Sequence, residues 1–131
     1  MNKLNISVIA FAVGLAFSVD TMAEDTPSED MSKEQYDFLE KNIKAEYRSA
    51  KVRCNSLSLN ANDVCVTEAK GKKNVAEAEL EADYKPSAKT QYNARVAKTD
   101  ADYDVAREKC EGLNGAFRSM CRNEAKVSFN Q

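Results

Sequence analysis

The chain of 131 residues carries 19 basic and 21 acidic side chains and no histidine, so its formal net charge is −2. So small a net charge argues against a nucleic-acid-binding surface and against strong electrostatic attraction to a membrane. Beyond position 23, leucine, isoleucine, valine and phenylalanine together number only 16, whereas alanine alone numbers 14. This composition predicts an alanine-rich helical protein with a thin core.

The segment 1–23 has the pattern of an export signal. Lys3 precedes an apolar stretch over 6–17, and the small residues Thr21 and Ala23 on either side of Met22 predict cleavage after Ala23. A transmembrane anchor is the alternative, but it requires ~18 consecutive apolar residues, and this stretch is shorter. We therefore expect a cleaved signal peptide over 1–23, a periplasmic protein with no membrane span after cleavage, and a flexible acidic leader over 24–31.

Residues 32–85 are predicted to form a first helical hairpin. Ser32 and Gln35 have the spacing of a capping box, which predicts the start of a helix of about seven turns. Its apolar stripe, with the three- and four-residue steps of one helix face, consists of Tyr36, Leu39, Ile43, Tyr47, Ala50, Cys54 and Leu57. Cap-forming residues cluster at 58–62 and predict the turn.

The second helix of this hairpin resumes near Val64 and runs to Tyr84. Gly71 inside it costs about 1 kcal/mol relative to alanine and is expected to soften the middle of the helix. Pro86 lacks an amide proton and crowds the preceding turn, so it ends or sharply kinks the helix.

Residues 86–131 are predicted to form a second hairpin. A third helix repeats the apolar stripe of the first between Tyr92 and Leu113. The glycines and asparagine of 112–115 predict the turn, and a short last helix covers 116–127. Three apolar residues near its end form either a small exposed patch or a cap on the core: Phe117, Met120 and Phe129.

Two cysteine pairs with the same eleven-residue separation lie 56 positions apart, and they reveal an internal repeat. An ungapped shift by 56 positions aligns twelve identities over 33–70, which indicates a tandem duplication. Four cysteines in a short exported chain predict a disulfide framework. Three pairings are open, and the duplication favours the one in which each unit closes its own bridge, Cys54–Cys65 and Cys110–Cys121.

Other chemistry has little support in the sequence. Structural zinc prefers ligand pairs two to four residues apart, and thiol oxidoreductases need a Cys-x-x-Cys element; neither pattern is present. The cysteines are therefore predicted to be structural and no cofactor is expected, with a cysteine-based metal or redox site as the alternative. Without histidine, a Gly-x-Ser-x-Gly motif or a phosphate loop, the chain is predicted not to be an enzyme, and a glycosidase-like carboxylate pair is left open.

The five tyrosines are the candidate contact surface. Tyr36 and Tyr92 occupy equivalent positions of the two units, as do Tyr47 and Tyr103, and Tyr84 lies in a similar sequence context. An aromatic row can stack on glycan rings or grip a protein partner. The simpler interpretation, which we favour, is packing between helices with each hydroxyl at the wet edge.

The motif residues of the first unit are Tyr47, Cys54, Leu57, Asp63-Val64-Cys65 and Glu68-Ala69-Lys70. In this pattern the chain resembles the alanine- and lysine-rich repeats of uncharacterised exported helical proteins of Gram-negative bacteria, with paired Cys-x10-Cys units. The second unit departs from the pattern, with Ser119-Met120-Cys121 in place of Asp-Val-Cys. The resemblance covers most of 33–126 and implies export, but it implies no activity.

Together these observations predict an all-α protein of two tandem disulfide-stapled helical hairpins, folded as an irregular four-helix bundle or linked more loosely at Pro86. The functional hypothesis is a non-enzymatic periplasmic binding protein that interacts with envelope proteins in a stress-related or chaperone-like role. A secreted inhibitor or small-ligand binder that presents the two hairpin turns is the alternative. The sequence predicts neither the identity of the partner nor the oligomeric state.

Overall fold

The computed structural model describes residues 30–130, and this part of the chain contains four α-helices. They are α1 (Lys33–Cys54), α2 (Asn60–Tyr84), α3 (Ala88–Glu111) and α4 (Gly115–Ser128). The all-α prediction is confirmed. The predicted signal peptide and most of the predicted acidic leader lie outside the described residues. Of the four helices, none has the length and apolarity to cross a membrane.

The helices pack in chain order as a row, each against the next. The most extensive contact joins α2 to α3, while α1 packs on α2 and α4 packs on α3. Since α2 and α3 belong to different hairpins, the two hairpins fold together and are not held by a loose link at Pro86 alone. Neighbouring helices run antiparallel. Both hairpin turns, 55–59 and 112–114, therefore lie on the same side of the molecule, at one end of the helix axes.

The first helix of each hairpin begins with a capping box. The Ser32 side chain accepts a hydrogen bond from the Gln35 amide, and the Gln35 side chain accepts one from the Ser32 amide, as predicted. Ser87 and Thr90 make the same pair of bonds before α3. A strict shift by 56 positions would align Ser32 with Ala88, so α3 begins one residue earlier than the duplication implies.

Both favoured disulfides form, and they contribute to a thin core beside the two hairpin turns. The Cα atoms are 5.6 Å apart in Cys54–Cys65 and in Cys110–Cys121, a separation typical of disulfides. Cys54 and Cys110 are almost completely buried. The other buried apolar side chains are Ala69, Leu80 and Ala125. The core is small because the described chain offers few large apolar residues.

The first turn falls earlier than the sequence predicts. It spans 55–59 and not 58–62, because α1 ends at Cys54 and α2 begins at Asn60. Asn62, which the sequence places in the turn, lies in α2 and donates its side-chain amide to the Cys54 carbonyl at 2.7 Å. This cap-forming residue therefore satisfies the end of α1 from within the next helix.

The contact between α2 and α3 is closest at Gly71 and Ala101. Gly71 is buried, and a β-carbon built on it would lie 2.9 Å from the β-carbon of Ala101. Two methyl carbons do not approach this closely. The glycine that the sequence marks as a soft point in α2 is thus the residue that lets α3 pack against it.

Candidate interaction surface at the disulfide-linked end

The tyrosines are spread over several helix contacts and do not line up in one row. The rings of Tyr36 and Tyr84 stack between α1 and α2 with their centroids 4.5 Å apart. Tyr103 meets Phe129 edge-on at 6.3 Å, where α3 packs on the end of α4. These four rings lie between helices, as in the packing interpretation of the tyrosines.

The two remaining tyrosines differ in exposure. Tyr47 is half-buried in a groove between α1 and α2, and the Lys73 ammonium lies 6.0 Å from the centroid of its ring. Tyr92 is exposed on α3. The structure therefore offers no shared aromatic platform made of the five side chains.

Large apolar side chains are instead exposed at the two hairpin turns. We call them the turn surface, which consists of Leu57, Leu59, Leu113 and Phe117. Leu59 is 87% exposed and Phe117 is 72% exposed. Exposed apolar groups that gather at one place on a small soluble protein mark a site of interaction.

The two turns lie side by side. The side-chain amide of Asn60 at the start of α2 donates a hydrogen bond to the Glu108 carbonyl in the last turn of α3 at 2.9 Å. A β-carbon on Gly112 would stand 2.7 Å from the side-chain oxygen of Asn60, so the second turn approaches the first through a glycine. Leu59 directly precedes Asn60 and Leu113 directly follows Gly112, so these two leucines lie where the two turns approach each other.

Leu59 has a backbone conformation that leucine rarely adopts. Its φ of 54° and ψ of −140° lie in a region that favours glycine, because a β-carbon crowds the backbone there. Such a conformation costs roughly 1–3 kcal/mol and persists only where the surrounding structure imposes it. The Leu59 side chain is exposed, so its own packing does not account for this conformation.

Neighbouring bonds hold the first turn in place. The Leu57 amide donates to the Cys54 carbonyl at 2.9 Å, and the Asn62 amide donates to the Leu59 carbonyl at 2.9 Å. The disulfide from Cys54 to Cys65 ties the end of α1 to the second turn of α2. The first turn, which carries Leu57 and Leu59, is therefore held in one shape.

The residues around the turn surface are basic, in contrast to the chain as a whole. The segments 48–63 and 107–122 carry seven basic and three acidic side chains, a net charge of +4, whereas the full chain has −2. Glu111 pairs with Arg122 and lies 3.9 Å from Arg118. The end that carries the turn surface is thus also the positive end of the molecule.

A groove between α2 and α3 is a second candidate site. It has a volume of about 740 Å³, and small apolar residues such as Val75 and Val105 form its floor. Its rim carries equal numbers of acidic and basic residues: Glu68, Glu79, Asp102, Lys72, Lys98 and Lys109. The charges around the groove therefore favour neither an acidic nor a basic ligand.

All four cysteines are in the two disulfides. Within 30–130, no group of three or more cysteine or acidic residues is arranged to hold a metal ion.

No protein-family model, no curated protein and no solved structure matches this chain. The resemblance of its units to exported alanine- and lysine-rich repeats therefore stays a prediction.

Proposed function

We propose that this chain is a non-enzymatic binding protein of the cell envelope. Its turn surface enters an apolar pocket on a partner protein, and acidic residues of the partner surround that pocket. The observation that carries the proposal is the exposed Leu59 in its strained conformation. A large apolar side chain projecting from a rigid turn is the kind of anchor that dominates binding energy at protein interfaces. The net charge of +4 around it favours acidic groups on the partner.

A protein pocket fits this surface better than a lipid surface does. A membrane binds apolar and basic groups in almost any arrangement, so it requires no fixed backbone. Here the backbone is fixed by a disulfide, by hydrogen bonds from Asn60 and Asn62, and by the close approach of Gly112. Such preorganisation lowers the entropy lost on binding a partner of defined shape.

The location in the envelope is supported by the two disulfides. Structural disulfides persist in oxidising compartments and are rare in the cytosol. With so few buried apolar side chains, the helices depend on these bonds. An oxidising compartment also agrees with the export signal that the sequence predicts over 1–23.

A chaperone-like role is the second form of this function, and the groove between α2 and α3 favours it. Its apolar floor and mixed-charge rim suit unfolded segments of either charge. We expect an equimolar amount of the oxidised protein to suppress aggregation of a reduced model substrate if the groove serves this role. Failure to suppress aggregation rejects the chaperone-like form and leaves the turn-surface proposal in place.

Site-specific photocrosslinking in the exporting cell tests the turn surface. A photoreactive phenylalanine analogue replaces Leu59 in one variant and Glu79, on the rim of the groove, in the control variant. We expect one predominant protein adduct from position 59, which Phe117→Asp removes, and no such adduct from position 79. A broad spread of adducts supports the chaperone-like form.

Two other results reject the turn-surface proposal. Adducts to lipid alone from position 59 indicate a membrane surface as the partner. The same adducts from positions 59 and 79 show that capture is not specific to the turns.

A further inference from the structure

The first and last helices of the row each leave one side uncovered by the rest of the described chain. α1 packs on α2 only, and α4 packs on α3 only. The uncovered side of α1 contains Ala45, Ser49 and Val52, which we call the α1 edge. The uncovered side of α4 contains Ala116, Met120 and Val127, which we call the α4 edge. Val52 is 69% exposed, Met120 67% and Val127 79%.

The equivalent residues of the two repeat units lie in a contact between helices. In the shift by 56 positions, Ala45 of the α1 edge corresponds to Ala101, which packs on Gly71. In the same way Val127 of the α4 edge corresponds to Gly71 itself. The α1 edge therefore corresponds to the face of α3 that contacts α2, and the α4 edge corresponds to the face of α2 that contacts α3.

A second pair of positions gives the same result. Val52 corresponds to Glu108 and Ala116 corresponds to Asn60, and in the chain Asn60 donates its side-chain amide to the Glu108 carbonyl at 2.9 Å. Both ends of the internal contact thus map onto the two exposed edges. The same shift that aligns the faces therefore predicts a register for the contact, although Ala116 lacks the side-chain amide of Asn60.

At three positions the exposed edges are more apolar than the contact that they repeat: Val127 replaces Gly71, Ala116 replaces Asn60 and Val52 replaces Glu108. At a fourth position the change is opposite, since Ser49 replaces Val105. The outer faces of a repeat protein that remains monomeric are normally polar, because they meet water. The opposite pattern here indicates that the edges are covered by protein.

The charges on one side of the contact are repeated too. Glu68 on α2 lies 4.0 Å from Lys109 on α3, and the corresponding residues are Glu124 on α4 and Arg53 on α1. On the other side, Lys70 and Asp104 line one cleft, whereas their counterparts Lys126 and Arg48 are both basic. One charge pair is therefore favourable and one is unfavourable.

We infer that copies of this chain associate head to tail, with the α4 edge of one copy packed antiparallel on the α1 edge of the next. This arrangement continues the row of helices and repeats the internal contact between α2 and α3. A head-to-tail interface leaves one free edge at each end, so the assembly grows openly and does not stop at a dimer. α4 is 14 residues long, so each contact extends for only about 21 Å and is weak.

This inference goes beyond the proposed function and uses none of the four residues of the turn surface. The test uses the oxidised, signal-cleaved protein in sedimentation velocity from micromolar to millimolar concentration. We expect the average mass to rise with concentration beyond that of a dimer. A monomer at every concentration overturns the inference.

Two edge variants test the orientation. Ala45→Arg blocks the α1 edge and Val127→Arg blocks the α4 edge; both positions are exposed, so the fold does not depend on them. Each variant alone is expected to remain monomeric. An equal mixture forms a dimer and nothing larger, because each variant supplies the edge that the other lacks.

The control and the alternatives are distinguished in the same experiment. Asn93→Arg adds the same charge at an exposed position of α3 away from both edges and should associate like the wild type. Association of Ala45→Arg alone indicates contact between two α4 edges, and association of Val127→Arg alone indicates contact between two α1 edges. Either result overturns the head-to-tail arrangement.

Charge reversal tests the register. Glu124→Arg and Arg53→Glu are each expected to raise the dissociation constant by about fivefold, since an exposed pair contributes little. The double variant restores the pair with its charges exchanged and should return to within about twofold of the wild type. A double variant that is as weak as either single variant overturns this register.

Discussion

The hydroxyl of Tyr36 on α1 donates a hydrogen bond to a carboxylate oxygen of Glu81 on α2 at 3.1 Å. This bond lies at the end of the molecule opposite the disulfides, beside the stacked ring of Tyr84. Burial raises the pKa of the Tyr36 phenol above its ordinary value, and the hydrogen bond to Glu81 raises it further. The pair therefore holds α1 to α2 only while the phenol keeps its proton.

The raised pKa predicts a loss of stability in alkaline solution. A group whose pKa is higher in the folded than in the unfolded protein contributes its stability in full below the ordinary value, about 10 for tyrosine, and loses it as the pH rises through the folded value. The free energy of unfolding of the wild type should therefore fall more steeply above about pH 10 than that of Tyr36→Phe. Urea unfolding at increasing pH measures both slopes, and parallel slopes contradict the prediction.

Gly71→Ala is expected to destabilise the protein although alanine is the better helix former. The new methyl group would lie 2.9 Å from the β-carbon of Ala101, so α2 and α3 have to separate. Overpacking of this kind costs about 1–3 kcal/mol, against a helix-propensity gain of about 1 kcal/mol. The midpoint of urea unfolding reports the difference.

The matched control moves the methyl group to the other helix. In the double variant Gly71→Ala/Ala101→Gly, one β-carbon again fills the contact, so most of the lost stability should return. A glycine at position 101 also lowers the helix propensity of α3. If the double variant is less stable than Gly71→Ala by the whole of that propensity cost, close packing of α2 on α3 does not explain the glycine at position 71.

Leu59→Gly is expected to stabilise the fold and abolish binding. Glycine adopts the φ of 54° at Leu59 without the crowding of a β-carbon. Leu59→Ala keeps the β-carbon and therefore the backbone strain. The free energy of unfolding of Leu59→Gly should be about 1 kcal/mol higher than that of Leu59→Ala. Thermal unfolding compares the two, and equal stability contradicts the strain at this residue.

Loss of either disulfide should lower the melting temperature sharply. Closing a short loop contributes roughly 3 kcal/mol per bridge in the chain-entropy description, which is a large part of the ~5–15 kcal/mol typical of a small domain. The double variants Cys54→Ala/Cys65→Ala and Cys110→Ala/Cys121→Ala test the two bridges separately by circular dichroism. An unchanged melting temperature of the wild type in excess reductant contradicts the prediction.

The helices and the disulfides could be predicted because the signals are local. The capping box of Ser32 and Gln35, the apolar stripe of α1 and the equal cysteine spacing each depend on residues close in sequence. The boundary of the first turn could not, because Asn62 satisfies the end of α1 from inside α2. Its side chain is a capping group in either position, and sequence does not say which helix end it serves.

The row of helices and the turn surface depend on contacts between distant residues. Gly71 lowers the helix propensity of α2, and only the position of Ala101 shows that the glycine permits close packing. Leu57 continues the apolar stripe of the first helix in the sequence, yet it lies beyond the end of α1 and is exposed. Nothing local distinguishes an apolar residue that is buried from one that is left on a turn.

Both disulfides lie beside the hairpin turns, at one end of the helix axes. The opposite end, where α1 and α3 begin and α2 ends, is held by noncovalent contacts alone. There, the forces that resist fraying include the Tyr36–Tyr84 ring contact, the Tyr36–Glu81 hydrogen bond and two serine caps. Amide hydrogens near 33–40 and 80–92 should therefore exchange with solvent sooner than those beside the cysteines. We therefore expect local opening to begin at the tyrosine end, while the hairpin turns beside the disulfides keep their shape.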